Sequence, residues 1–350
     1  MIVVMNAQAT DEDIARVVDM VEDAGGDTFI SRGKQRTIIG LLGDTERFMS
    51  LPLRTLQHVD EVVRIGKPYK LVAAESRAEP SEIPVGDVTI GRSTFAIIAG
   101  PCAIETDEQA LTTARACKAA GAHILRGDAF KHRTSPYAFQ GLAKRGLEIL
   151  AQMRTETGLP VVTEVLNTSD VEMVASYADI IRVGARNMQN FELLKELGKL
   201  HGKPVMLKRG ISGTIEEWLM AAEYIANQGN EEIILCERGI RTFEPMTRNT
   251  LDLSAVPLLH SLSHLPVIVD PSHSTGKREL VGPMARAAVA VGADGIMVDV
   301  HPRPEAALCD GPQALTTEEI AGLIEDVMDV ARAIGRPMAH PKQNVRAAEQ

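Results

Sequence analysis

From Phe95 onward, eight short apolar runs recur, at 95–99, 123–126, 161–164, 180–183, 205–208, 233–236, 267–270 and 296–299, and an amphipathic helical pattern follows each. A strand that is apolar on both faces must be covered on both faces. Alternation with helices is the arrangement that does this, by way of a parallel sheet. Eight strand–helix units in this length predict closure into a (β/α)8 TIM barrel. An open, doubly wound sheet is the alternative. No G-x-G-x-x-G run follows any of the strands, which counts against it. Aromatic residues make up only 3% of the chain, so the core has to be built from aliphatic side chains, as barrel layers are.

The first 70 residues follow a different pattern. A strand at 2–5, a helix over 11–24 capped by Thr10, strands at 28–31 and 36–42 around a turn containing Gly33, a helix near 45–56 and a strand at 61–65 give the order βαββαβ. This is the order of a small ferredoxin-like α+β domain. Pro68, Pro80 and Pro84 mark a connection. The expected division is a ferredoxin-like regulatory domain over 1–70, a linker with a barrel-bottom hairpin around Val88 to Ile90 over 71–94, the barrel over 95–338 and a polar tail over 339–350.

A net charge of −10 argues against nucleic acid or an anionic membrane surface as a partner. No apolar stretch is long enough to span a bilayer, and the N-terminus lacks the pattern of a signal peptide. The four cysteines, Cys102, Cys117, Cys236 and Cys309, form no C-x-x-C pair and are expected to be reduced, in keeping with a cytoplasmic location.

Catalytic residues of such barrels gather at the carboxyl ends of the strands. Those ends carry Cys102, Arg126, Glu164, Arg182, Lys208, Arg238, His273 and Asp299 here, with Lys131, Arg133, Thr134, Arg186 and Asp310 on the loops beyond. Two sets separate by chemistry. Arg126, Lys131, Arg133, Arg186, Lys208 and Arg238 would repel one another around one mouth unless a multiply anionic ligand, carrying carboxylate and phosphate groups, joined them. Cys102, His273, Asp299 and Asp310 suit a divalent ion such as Mn, Fe, Co or Zn in a catalytic site. A metal could polarise an aldehyde oxygen. Lys208, beside Arg209, keeps a Schiff-base aldolase open as another reading.

The runs IAGPCAIE (98–105), KHRTSPY (131–137), GARN (184–187), VMLKRG (205–210), LCERG (235–239), VDPSH (269–273) and VHP (300–302) resemble 3-deoxy-D-arabino-heptulosonate 7-phosphate synthases of type I-beta, which carry an N-terminal ferredoxin-like domain. The resemblance implies condensation of phosphoenolpyruvate with erythrose 4-phosphate at the entry to the shikimate pathway. Carried over by motif, it assigns the metal to Cys102, His273, Asp299 and Asp310. Phosphoenolpyruvate goes to Arg126, Lys131, Arg186, Lys208 and Arg238, and the aldehyde's phosphate to Arg133 and Thr134. Proton transfer falls to Lys131 or to a water held by Glu164. It also implies a homotetramer and an N-terminal domain able to sense aromatic amino acids. This chain departs from the family pattern at His132 (Pro), Asp299 (Glu) and Asp128 (Gly), and Phe29 stands where regulated members carry His. A sister enzyme using another aldose, such as 3-deoxy-octulosonate 8-phosphate synthase, remains open, as does a non-catalytic amino-acid-sensing subunit.

Overall fold

The computed structural model describes residues 1–33 and 36–339, in two compact units, Met1–Pro68 and Tyr69 onward. The polar tail expected over 339–350 lies, beyond Ala339, outside the described residues.

In the first unit, β1 (Ile2–Met5) leads to α1 (Asp11–Asp23). Thr10 and Asp13 close a reciprocal capping box at the start of α1, which satisfies two backbone donors that the helix itself leaves free. Strands β2 (Asp27–Arg32) and β3 (Thr37–Leu42) follow, then α2 (Thr45–Met49) and β4 (Val59–Val63). The sheet order β2-β3-β1-β4, with antiparallel neighbours, is that of a ferredoxin-like fold. Val3, Met5, Ile14, Val17, Val21, Ile39, Leu41 and Phe48 form its core. Two expectations are corrected. The single helix expected over 45–56 is broken into α2 and a 3-10 turn at Leu53–Thr55, because Pro52 lacks the N–H a helix would use and restricts the residue before it. The strand expected at 61–65 lies at Val59–Val63, where Val62 pairs with Val3 and is buried.

The second unit begins with a hairpin of β5 (Ile83–Val85) and β6 (Val88–Ile90). The barrel strands and helices then alternate: β7 (Ala96–Gly100), α3 (Asp107–Ala120), β8 (Ile124–Arg126), α4 (Lys144–Thr157), β9 (Val161–Val165), α5 (Val171–Tyr177), β10 (Ile180–Val183) and α6 (Phe191–Gly198). The second half comprises β11 (Val205–Lys208), α7 (Ile215–Ala226), β12 (Ile233–Glu237), α8 (Ala255–Leu262), β13 (Val267–Val269), α9 (Pro271–Thr275), α10 (Arg278–Ala290), β14 (Gly295–Asp299) and α11 (Glu319–Ala333). Strands β7 to β14 close into a parallel barrel, so the open sheet is excluded. The expected strand at 267–270 ends one residue early, because Asp270 leaves the ladder to cap α9.

Alternation along the strands explains where the charge goes. Ala96, Ile98, Ile124, Val162, Ile180, Met206, Ile234, Ile268 and Met297 pack together in the barrel interior with Ile83, Val85, Val88 and Ile90 of the hairpin, which plugs the amino-terminal end. Ile97, Ala99, Leu125, Val161, Leu207 and Leu235 face the other way and pack with the helices. Side chains two residues apart share a face of a strand. The next inward positions after the apolar layer are therefore Arg126, Glu164, Arg182, Lys208, Asp270 and Asp299, all buried. The carboxyl end of the barrel interior is thus a charged layer laid on an aliphatic floor.

Candidate active site

The local backbone brings the charged layer into register. Gly100 sits at φ +154°, and a Cβ there would meet the Arg126 carbonyl oxygen at 2.2 Å. Only glycine lets β7 and β8 approach this closely before the chain turns to Cys102. On the facing side, Asp270 caps α9 by accepting from the His273 N–H at 2.8 Å, and Pro271 takes the first helical position, where its missing N–H costs nothing. His273 is thereby held on the first turn, with Nε2 3.6 Å from Cys102 Sγ and 3.5 Å from Asp310 Oδ2. Asp310 adopts a left-handed φ of +54°, and Arg248 donates to its Oδ1 at 3.0 Å. A non-glycine residue in that region is strained, and such strain concentrates at functional sites.

Acids and bases interlock beneath the mouth. Asp128 is fully buried and accepts from Arg182 at 2.6 Å, Lys131 at 2.8 Å and Arg126 at 3.1 Å. Burial alone would raise its carboxyl, but the three cations outweigh burial and hold it well below the usual carboxylate range. Lys131 shows the converse. Burial would lower it, and the Asp128 carboxylate instead keeps it well above the ordinary lysine value, so it stays charged. Lys131 Nζ also lies 3.2 Å from Cys102 Sγ and 3.3 Å from the Cys102 carbonyl oxygen. Asp299 pairs with Arg126 and accepts from Gln313 at 2.6 Å. Its Oδ2 lies 3.5 Å from His273 Nδ1. The His273 Nδ1 is also 2.9 Å from Asp270, aligned too poorly for a hydrogen bond. Against the opposing effect of burial, the carboxylates of Asp270 and Asp299 push His273 up to about 10.

Above this layer opens a cavity of about 310 Å³. Lys131, Arg133, Arg182, Arg186, Lys208, Arg238 and Arg248 line it, against only two acids, Glu164 and Asp310. Thr134 and His273 also line it, while Arg126, Cys102 and Asp299 are buried, in contact with its walls rather than on them. Glu164 accepts from Arg182 at 2.9 Å. Arg186 reaches the Thr134 hydroxyl at 3.3 Å and the His132 carbonyl at 3.5 Å. Arg238 is 6% exposed and donates one nitrogen to the His273 carbonyl at 3.1 Å, but among the described residues its buried Nη1 has no partner. An unmatched guanidinium nitrogen lining a cationic cavity is the feature an anionic ligand would complete.

Lys208 is shifted down by its own burial and by Arg182 and Arg126, partly offset by Asp270, to which it donates at 2.5 Å. Arg209 faces away from this group. Being next along the strand, it points outward and pairs with Glu237 at 2.9 Å and Asp252 at 2.8 Å. Arg182, at a strand end, and Asp270, Arg248, Gln313 and Cys309 belong to neither the cationic nor the metal set expected from the sequence. The period of two, which puts Arg182 after Ile180 and Asp270 after Ile268, carried a signal for the first two. No spacing pointed to the others, which arrive on loops.

The thiol, imidazole and carboxylate donors fit a divalent ion. Two overlapping groups, Cys102 with Cys309 and Asp310, and Cys102 with His273 and Asp299, each have their ligand atoms within 4.8 Å of one another. Soft sulfur mixed with nitrogen and oxygen suits a transition ion rather than magnesium or calcium.

Comparison with known proteins agrees with this geometry. Residues 70–334 match the DAHP synthetase I family, and residues 1–67 match the DAHP synthase ferredoxin-like domain. The chain is 52% identical over 335 residues to a phospho-2-dehydro-3-deoxyheptonate aldolase of Thermotoga maritima, covering 96% of this chain and 99% of that protein. It is 33% identical over 264 residues to a 2-dehydro-3-deoxyphosphooctonate aldolase of Syntrophobacter fumaroxidans, covering 70% of this chain and 90% of that one. The crystal structure of a Thermotoga maritima DAHP synthase superposes with a TM-score of 0.90 at 51% identity, covering 96% of this chain and 98% of that one. A truncated form of the Thermotoga maritima enzyme superposes with a TM-score of 0.72, covering 77% of this chain and 99% of that one. With both units matched and the strand-end residues converging on one cavity, this chain is a member of the DAHP synthetase I family.

Proposed function

We propose that the cationic cavity is where this enzyme joins phosphoenolpyruvate to erythrose 4-phosphate, forming 3-deoxy-D-arabino-heptulosonate 7-phosphate and inorganic phosphate. The observation that carries this reading is the lining itself: seven cations against two acids, in a chain whose net charge is −10. Such a site rewards two anionic substrates bound side by side, and holding them together supplies much of the rate.

Lys131, Arg186, Lys208 and Arg238 hold the carboxylate and phosphate of phosphoenolpyruvate, with Arg126 positioning Lys131 from below through the shared Asp128. Arg133 and Thr134, at the outer edge, take the phosphate of the aldehyde. Cys102, His273, Asp299 and Asp310 would hold a divalent ion, which when bound would supply a Lewis acid for the aldehyde oxygen. The methylene carbon of phosphoenolpyruvate attacks the aldehyde carbon. Lys131, kept charged by Asp128, donates a proton to the oxygen that gains negative charge. Water adds at the carbon that bore the phosphate ester, and Glu164 accepts its proton. The carbon–oxygen bond to phosphate then breaks.

The reaction is tested by following metal-dependent loss of phosphoenolpyruvate with erythrose 4-phosphate and, separately, with arabinose 5-phosphate. Turnover with the four-carbon aldehyde supports the assignment. Turnover only with arabinose 5-phosphate would move the chain to the sister reaction named for its more distant relatives, and no turnover with either would favour a non-catalytic subunit. Borohydride should trap no substrate on Lys208, whose ammonium is held by Asp270.

A homotetramer, an aromatic amino acid effector at the first unit and a cytoplasmic location complete the reading. Phe29 and Leu42, each more than half exposed on the first unit's sheet, support an assembly or effector surface there. Four buried free cysteines support a reducing compartment, and among the described residues no helix is long and apolar enough to cross a membrane. Sedimentation of the full chain with and without tyrosine or phenylalanine tests the first two.

A further inference from the structure

Not every charge on the cavity wall is free to meet a substrate. Four of the seven lining cations are already paired with acids: Lys131 with Asp128, Arg182 with Asp128 and Glu164, Lys208 with Asp270, and Arg248 with Asp310. Arg133, Arg186 and Arg238 instead donate to neutral oxygens, those of the Leu308 carbonyl, the Thr134 hydroxyl and the His273 carbonyl.

Asp128 takes two of the wall cations at once. Its Oδ2 receives Arg182 at 2.6 Å, Lys131 at 2.8 Å and, from deeper in the barrel, Arg126 at 3.1 Å. The carboxylate itself is fully buried and does not line the cavity. It therefore holds Lys131 and Arg182 from behind, and an anion in the cavity has to engage them from the front. An oxyanion at hydrogen-bond distance from the Lys131 ammonium would stand about 5 Å from the Asp128 oxygen. In a site screened from water, two negative charges at that range oppose each other enough to shift a binding constant by about tenfold or more.

Taking the above reading of the cavity as its basis, we infer that Asp128 is a positioning residue that sets how weakly the enzyme holds its anions. It shares Lys131 and Arg182 with phosphoenolpyruvate and takes them back when inorganic phosphate leaves. Without such a counter-ion, a wall of seven cations would bind phosphoenolpyruvate tightly and release phosphate slowly. Tight binding of the ground state lowers KM without raising kcat. Asp128 weakens that ground-state attraction, and the same contact keeps Lys131 in place for its proton transfer.

Phosphoenolpyruvate is titrated calorimetrically into the manganese-loaded full-length chain, without aldehyde, for wild type, Asp128→Asn and Asp128→Ala. The Kd is expected to fall by about tenfold or more in both variants, and inorganic phosphate to inhibit turnover at correspondingly lower concentration. General damage to the site would move both constants the other way. The KM for phosphoenolpyruvate should fall together with kcat, because Lys131 loses its anchor. Should a variant unfold on its own, phosphoenolpyruvate should restore its melting transition by supplying the missing negative charge. A Kd equal to or above that of wild type, or an unfolded variant that phosphoenolpyruvate does not restore, overturns the inference and leaves the reading of the cavity standing. No binding of phosphoenolpyruvate by the wild-type chain overturns both.

Discussion

A single guanidinium nitrogen of Arg182 lies 2.6 Å from both carboxylate oxygens of Asp128. Neither side chain has appreciable access to solvent, and Lys131 and Arg126 close on the same carboxylate. Asp128 is thus the internal counter-ion of three buried cations, Arg182, Lys131 and Arg126. It keeps them charged and ordered before an anion arrives, and removing it would leave three buried positive charges in contact.

The first prediction concerns that counter-ion. Asp128→Asn should destabilise the second unit by about 3–5 kcal/mol near neutral pH, the scale for removing one partner of a buried ion pair. The pairing holds the folded carboxyl below its unfolded value, so its contribution is complete above the unfolded value of about 3.9 and is lost as pH falls toward the folded one. Denaturant melts of wild type and variant should therefore differ most near neutral pH and converge below about pH 4. A constant gap down to pH 2 would contradict the assignment.

Lys131→Ala should abolish turnover while leaving the fold intact. The ammonium is held between Asp128 and the Cys102 sulfur, where it can serve both substrate charge and proton transfer. A fall in kcat of at least about 100-fold is expected, with an unchanged circular dichroism spectrum. Activity close to wild type would remove Lys131 from the mechanism.

Arg186→Ala separates binding from chemistry. Its side chain lines the cavity and, among the described residues, hydrogen-bonds only at long range, 3.3 Å to Thr134 and 3.5 Å to the His132 carbonyl. The KM for phosphoenolpyruvate should rise by about tenfold or more, with little change in melting temperature. Unaltered KM values would show that this arginine does not reach the substrate.

Chelation should stop the reaction without unfolding the chain, because the barrel floor is aliphatic and plugged by the β5–β6 hairpin independently of any ion. Dialysis against a chelator is expected to remove activity, and a divalent transition ion to restore it, while far-ultraviolet circular dichroism stays constant. Collapse of the spectrum on chelation would make the site structural.

Gly100→Ala should be far more damaging than its size suggests. The added methyl would lie 2.2 Å from the Arg126 carbonyl oxygen, so β7 and β8 would have to part, carrying Cys102 and Arg126 with them. Loss of soluble protein, or of both stability and activity, is the expected outcome in expression and melting assays.

Strand and helix periods in the chain determined the barrel, the βαββαβ unit and the inward strand-end residues Glu164, Arg182 and Lys208, because burial on two faces and inward alternation are local properties of a strand. They also placed the motif-bearing loops at one end. Only the tertiary structure decided how the charges pair, since pairing depends on which strands become neighbours across a closed barrel. It put Arg126 between Asp128 and Asp299 rather than on the cavity wall, and it turned Arg209 outward to Glu237. It also carried Cys309, distant in sequence from Cys102, to within 3.8 Å of that thiol. Long-range closure brings such groups together, and no periodicity along the chain records it.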